Sequence, residues 1–536
     1  MLGIDPNRPD VGVGGVSEVA NQYNIADQFL GRHVCERRGS KIAIVADDRS
    51  LSYADVASEM NRVGNGLRRL GIQLQQRVLL ILPDGPEFVA AYFGAMKIGA
   101  IAVPTSTALR ADDYSYLLAE SRPSAMIVHS SLWQRVEPAV ANRSDVFPII
   151  LCGDEYDGTL SWDRWLADAP TELAAQPTAA DSVAFWLWTS GSTGRTKAAV
   201  HLHRDWQFSC EHYARSVLQM GPADVIFSSS KLFHAYGLGN SLMFPFYVGA
   251  TTILSSAKSD PKRVLQTAQR HRPTLFFSVP TLYAAMLQEA ENEGFYDLSS
   301  VRLAISAAEP LSGDVFQRWK SRFGVEILDG IGSTEILHIY ISARAGKVKP
   351  GSTGTPVEGY SIRIVDENGR DCPPLKVGDM LVSGESAALS YWNHPELTAD
   401  RMRGKWFFTG DKFWMDEDGY YWIAGRADDL FRVSGKWVAP TEVEAVLTAH
   451  PSVLEAAVVG FRERSGIFSP SAYIVPKRGG GNDGQLISEL HDFVNQRLPP
   501  YKCPCRISIV EELPKAATGK ILRYRLRETA LAAPGV

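Results

Sequence analysis

Short β-type runs alternate with helical patterns through most of this chain, and that alternation constrains the fold more than any other feature. Val78–Leu82 reads as a buried strand, the segment after Pro86 as a helix, Ile101–Val103 as a strand, Asp112–Glu120 as a helix and Ala125–His129 as a strand. Ahead of them Val56, Met60, Val63, Leu67 and Leu70 recur at intervals of four, three, four and three, one face of an amphipathic helix that Gly71 ends. Strands resume at Val225–Ser230, Thr251–Leu254, Thr274–Ser278, Arg302–Ala307 and Glu326–Leu328, with helices after Pro261, after Pro280 and at Ser312–Phe323. A crossover helix between strands joins parallel neighbours, so this order predicts layered α/β architecture with largely parallel sheets.

From Gly351 the texture changes to short strands broken by turns such as Asp366-Glu-Asn-Gly369 and Asp416-Glu-Asp-Gly419, which predicts a small antiparallel β region. The final stretch reads as a compact α+β unit with strands at Ala456–Val459 and Ala472–Val475 and a helix at Leu486–Leu498; the polar run Pro476–Gly484 is a loop inside it. With 536 residues, 45% of them apolar, the chain has material for about two to four domains. Lys and Arg number 55 against 60 Asp and Glu, a net charge of −5 that argues against a nucleic-acid-wrapping protein, which should carry a basic excess. The N-terminus has no apolar signal-peptide core, and Val78–Pro104 is interrupted by Asp84, Pro86, Glu87 and Lys97, so neither secretion nor a membrane span is expected. The expectation is a soluble cytoplasmic protein, as a monomer or homodimer. Six scattered cysteines form no disulfide framework, and Cys503-Pro-Cys505 reads as a surface loop rather than a metal or redox site.

The segment Thr189-Ser190-Gly191-Ser192-Thr193-Gly194-Arg195-Thr196-Lys197 follows an apolar strand, Val183–Trp188. Glycines that leave backbone N–H groups open, rotatable hydroxyls and one cation are what a phosphate-gripping loop requires. It is not a Walker A loop, because Thr196 and Ala198 flank the lysine where Gly and Ser or Thr would be needed. Alone it could be an ordinary Ser/Gly turn, but four more segments follow: Asp329-Gly330-Ile331-Gly332-Ser333-Thr334-Glu335, Thr409-Gly-Asp411, Gly425-Arg426-Ala-Asp428-Asp429 and Pro514-Lys-Ala-Ala-Thr-Gly-Lys520.

Five such segments in this order resemble the adenylate-forming superfamily of acyl-CoA synthetases, luciferases and peptide-synthetase adenylation domains, over about Asn24 to Arg527. Lys231-Leu-Phe-His234-Ala235-Tyr236-Gly-Leu-Gly-Asn240, the stretch from Asp329 to His338 and Arg110-Ala-Asp-Asp-Tyr114 are similar to the benzoate and hydroxybenzoate CoA ligases. The resemblance implies an N-terminal AMP-binding domain over 1–427 and a mobile C-terminal domain over 428–536, with the hinge at Asp428. It implies ATP, Mg²⁺ and coenzyme A as reactants or cofactors, and two half-reactions: an aromatic carboxylate forms acyl-AMP, then a thiol displaces AMP. The alternative is a stand-alone enzyme that loads a carrier-protein thiol.

Residue by residue, the resemblance makes Lys520 the adenylation lysine, Thr334 a donor to the α-phosphate and Glu335 the Mg²⁺-associated carboxylate. Thr189 to Gly194 and Lys197 would hold phosphate; Ala308, Glu309, Asp329 and Gly330 would lie along the nucleotide; Asp411 and Arg426 would meet the ribose. Ser434, Gly435 and Lys436 would admit the pantetheine arm of CoA. The aryl ring would lie among His234, Ala235, Tyr236, Ala307, Gly330, Ile331, Gly332, His338 and Ile339. His338 is either a polar neighbour of the carboxylate or a core histidine. Three departures stand out: Thr196-Lys197-Ala198 replaces Pro-Lys-Gly, His234 replaces a phenylalanine and Pro310 an alanine. His201-Leu-His203 could chelate a metal from one strand face, but with no third ligand nearby it reads as a pair of structural or solvated histidines.

Overall fold

Two large, mostly parallel sheets carry the body of the protein, as the alternation predicts. The computed structural model describes residues 22–532 apart from 48, 142, 144–145, 191–195, 427–428, 430, 434–435, 463–467, 478–482 and 516–520. In the nine-stranded sheet, Ile327–Gly332, Leu303–Ser306, Leu275–Ser278, Val225–Ser228, Thr251–Leu254 and Ile42–Ala46 run parallel in that spatial order. Antiparallel strands close both edges, Ile339–Ser342 and Thr355–Pro356 on one side and Arg49–Ser52 on the other. The eight-stranded sheet centres on Val183–Ser190, Ile101–Pro104, Arg77–Ile81 and Ala125–His129, again parallel.

One apolar cluster runs through both sheets and the helices Tyr53–Arg69 and Pro86–Lys97, drawing in Ile226 and Ile305 from one sheet and Leu80 and Phe185 from the other. The predicted helical face Val56, Met60, Val63 and Leu67 is buried in it. The starts of the helices are set by side-chain caps: Ser52 and Asp55 form a capping box, Asp260 caps the helix beginning at Pro261, and Ser312 caps Gly313–Phe323. Lys97, whose charge argued against a membrane span, is itself buried and paired with Asp27 at 3.0 Å. Among the described residues no helix is long and apolar enough to cross a membrane.

Most strand and helix ends fall within a few residues of the sequence reading. The important difference lies at the Ser/Gly-rich segment. The strand expected to end at Trp188 continues to Ser190, and the chain returns antiparallel beside it as Thr196–Leu202, with Ser190 opposite Thr196 and Thr189 opposite Lys197. The strands Val183–Ser190 and Thr196–Leu202 therefore pair as the two arms of a hairpin. The antiparallel region read from the turn residues is a five-stranded sheet built on Ser361–Val365, Gly378–Ser383 and Trp406–Met415. Beyond it, Phe431 to Leu526 supply separate apolar clusters around the hairpin Val453–Arg462 and Phe468–Pro476. The expected hinge at Asp428 lies outside the described residues.

Candidate active site

In an open parallel sheet, ligand-binding segments gather beyond the carboxyl ends of the strands. Three of the predicted segments leave strands of the nine-stranded sheet at that end: Lys231–Tyr236 after Val225–Ser228, Ala307–Glu309 after Leu303–Ser306, and Asp329–Glu335 along and beyond Ile327–Gly332.

Thr334 and Glu335 form a single tight helical turn, Thr334–Ile336, with the side chain of Ser333 as its cap. Each of its three carbonyls is held from outside. The carbonyl of Thr334 accepts from His201 Nε2 at 2.8 Å, that of Glu335 from the Ala388 N–H at 2.7 Å, and that of Ile336 from Ser386 Oγ at 2.9 Å. Glu335 is buried, and its Oε1 accepts from the Tyr391 hydroxyl at 2.7 Å. The Tyr391 ring in turn lies under the Lys197 ammonium, 4.8 Å from Nζ to the ring centre. The structure thus brings Lys197, Thr334 and Glu335, predicted from two separate stretches of sequence, into one contiguous network. The histidine pair is structural rather than solvated: His201 and His203 are fully buried, and His201 Nδ1 lies 2.9 Å from Asp205 Oδ2.

On the nucleotide side, Ala308 adopts φ +77, a left-handed conformation that a residue with a Cβ seldom takes, at the turn leading into Glu309. Glu309 accepts from the Thr281 N–H, and burial raises its pKa against that hydrogen bond. Lys515, Glu455 and Arg523 of the C-terminal unit all act on Glu309 electrostatically. Asp411 and Arg426 are register partners across antiparallel strands. Asp329, opposite Ser306, is buried, and burial pushes its carboxyl well above the usual range.

The ring-side residues cluster as expected, with a different reason for some of them. Ala235 and Ala307 are buried, and Tyr236 donates its hydroxyl to the carbonyls of Ser278 and Ile305. Gly330 and Gly332 owe their bareness to the hairpin with Ile339–Ser342: a Cβ at 332 would lie 2.5 Å from the His338 carbonyl oxygen and one at 330 would lie 2.9 Å from that of Ile341. Ile331, between them, is half-buried and opposite Ile341, and Ile339 is buried. His338 is buried among the rings of Tyr213, Tyr236 and Phe244. Its Nε2 faces two acceptors, Asn240 Oδ1 at 3.2 Å and the Tyr236 carbonyl at 3.4 Å, and therefore carries the proton. Burial lowers its pKa to about 3, leaving a neutral ring with no proton to offer a carboxylate, which favours the core-histidine alternative. His234 packs its ring on Phe233, and burial lowers its pKa to about 4.

Gly191, Ser192, Thr193, Gly194, Asp428, Ser434, Gly435 and Lys520 lie outside the described residues, and for Ser190, Arg426 and Lys436 only the backbone is described. Sequence reasoning missed Asp205, Tyr391 and Asn240. The spacing His201-x-x-x-Asp205 was a usable signal, whereas nothing local marks Tyr391, 56 residues from the carboxylate it holds.

The fold and site define a class, and the comparisons agree: the chain belongs to the AMP-binding enzymes, matching that family over residues 31–392 and its C-terminal domain over 442–520. Within the family it is 42% identical to a benzoate–CoA ligase of Thauera aromatica, covering 95% of this chain and 97% of that protein. It is 40% identical to a 4-hydroxybenzoate–CoA/benzoate–CoA ligase of Rhodopseudomonas palustris, covering 95% and 94%. Among solved structures, an anthranilate CoA ligase in complex with anthranoyl-AMP matches with a TM-score of 0.91 at 38% identity, over 95% of this chain and 98% of that one. A benzoate CoA ligase from Burkholderia xenovorans LB400 gives 0.88 at 39%, over 94% and 100%.

Proposed function

We propose that this protein is an AMP-forming aryl-CoA ligase acting on a benzoate-like, hydroxylated or larger aromatic acid. The acid's carboxylate oxygen attacks the α-phosphorus of ATP and expels pyrophosphate; the CoA thiol then attacks the acyl carbon of the acyl-adenylate and expels AMP. The observation that carries this reading is the Thr334–Glu335 turn, clamped by three external donors and linked through Tyr391 to Lys197, in a chain so similar to benzoate–CoA ligases.

Both reactants of the first step are anions, so their approach depends on fixed donors and cations in a water-poor cleft. In this reading the Thr334 hydroxyl donates to the α-phosphate, Lys197 and the hairpin hold the outer phosphates, and Asp411 accepts from the ribose with Arg426 beside it. Lys520 bridges the substrate carboxylate and the α-phosphate. Glu335 suits a hard divalent cation: one oxygen is occupied by Tyr391 and the other has no hydrogen bond among the described residues. A cation of this kind is commonly bound by one or two carboxylates together with substrate phosphates. When bound, Mg²⁺ would neutralise charge on the phosphates. Tyr236, Ala307, Ile331 and His338 wall the ring, His338 as a neutral apolar face. The C-terminal domain, 428–536, turns about Asp428 between steps, withdrawing Lys520 and bringing Ser434-Gly435-Lys436 to the pantetheine arm.

The test is pyrophosphate release over benzoate, hydroxy- and aminobenzoates, naphthoates and cinnamates, with thioester formation then scored on free CoA and on a phosphopantetheinylated carrier protein. Acid-dependent pyrophosphate release with thioester on free CoA is expected. Thioester on the carrier alone would establish the loading reaction, and no acyl-adenylate from any acid would sink the reading.

A further inference from the structure

We propose that His201 and Asp205 are positioning residues for adenylation: a buried dyad that holds the Thr334–Glu335 turn in a shape the chain would not keep unaided. The inference rests on the reading of Thr334 and Glu335 as nucleotide-facing groups.

The turn is strained. Leu337, immediately after it, is fully buried at φ 73 and ψ −49, a conformation that costs free energy and persists only where the surroundings impose it. Ala388, Ser386 and His201 impose it through the three carbonyls of the turn. His201 differs from the other two donors. Its ring is sandwiched flat against Phe185, 5.1 Å between centres at 9°, and both of its nitrogens face acceptors. Nε2 therefore donates to the Thr334 carbonyl while Nδ1 is bound to Asp205 Oδ2. The Leu202 N–H, donating to Asp205 Oδ2 at 3.0 Å, fixes the carboxylate end.

Stability alone does not account for this arrangement. Both side chains are 0% exposed inside an apolar body, and Asp205 Oδ1 has no partner among the described residues. A buried ionisable pair of this kind is often no better for folding than apolar side chains of equal volume. What an apolar pair could not do is present an N–H to the Thr334 carbonyl. The strand that carries His201 also begins with Thr196 and Lys197, and Lys197 covers the Tyr391 ring that holds Glu335. One strand thereby sets both residues of the turn in register with the phosphate hairpin.

The test compares His201→Met, which keeps volume and removes both ring nitrogens, with His201→Gln, whose amide can still reach the carbonyl. In His201→Met the kcat of acid-dependent pyrophosphate release should fall about 10- to 100-fold, with KM for the aryl acid unchanged within about threefold. His201→Gln should recover most of the loss, and His201→Met should cost less in a Thr334→Ala background than alone, because the two act through one turn. Full activity of His201→Met, no recovery by Gln, or simple additivity with Thr334→Ala overturns the proposal. A silent Thr334→Ala would instead remove the underlying assignment of Thr334, and the proposal with it. Should His201→Met fail to fold, Asp205→Asn carries the test: a fall of about 3- to 10-fold in kcat at unchanged aryl-acid KM supports the dyad, and an unchanged kcat overturns it.

Discussion

Ala308 and His338 show how single positions take their character from their surroundings. The left-handed conformation of Ala308 costs roughly 1–2 kcal/mol in an L-residue, while glycine pays about 0.5–1 kcal/mol in chain entropy. Ala308→Gly should therefore leave stability equal or raise it by up to about 1 kcal/mol, and the β-branched Ala308→Val should lower it by about 1–2 kcal/mol; urea unfolding of the three proteins checks the order. His338 stood in the sequence as a candidate with two readings. Only the acceptors around Nε2 and the surrounding rings reveal a neutral wall rather than a carboxylate partner.

At the scale of elements, the strand Thr196–Leu202 and the short Ser390–Tyr391 strand beside it organise the site. Tyr391 couples them to the acidic turn by one hydrogen bond to a carboxylate, a type worth about 1.5–3 kcal/mol. Tyr391→Phe keeps the ring beneath Lys197 and removes only the hydroxyl. It should slow pyrophosphate release by about 10-fold or more and raise the Mg²⁺ concentration needed for half-maximal rate, read from a magnesium titration of that assay. The hairpin itself was only half legible. Glycines and hydroxyls in a row announced a phosphate loop, but its return as an antiparallel strand depends on Val183–Ser190 having an open edge on which Thr196–Leu202 can pair. Likewise Gly330 and Gly332 were legible only as parts of a motif, and the space they leave is taken by the backbone and side chains of His338–Ser342.

For the whole molecule, the hinge hypothesis separates the half-reactions. Lys520→Ala should cut adenylation by on the order of 10³ while sparing thioester formation from supplied acyl-adenylate. Asp428→Pro should slow the second step and spare the first, because a fixed φ resists rotation; equal losses in both assays would contradict the assignments. Folding has a pH signature of its own. His203 is fully buried, accepts from the Ile25 N–H, and has its pKa lowered by burial from 6.5 to about 4. Below pH 6.5 the unfolded chain binds a proton there that the native protein does not, so stability is lost as pH falls from about 6.5 towards 4. The stability advantage of the native protein over His203→Gln should shrink across that window by on the order of 2–3 kcal/mol, measured by denaturant unfolding at pH 7 and pH 4.5.

The alternation of strands and helices and the order of the five chemical segments were determined by sequence alone, because each rests on local spacing or on a signature confined to a few residues. Tertiary structure decided what those segments touch and what holds them in place. His201 became a brace, Tyr391 a tether and His338 a neutral wall through contacts across 133, 56 and 98 residues of chain, where no local pattern can specify a partner. Hydrogen bonds and burial act through space, so the chemistry of the site was written along the chain and its geometry only in the packed sheets.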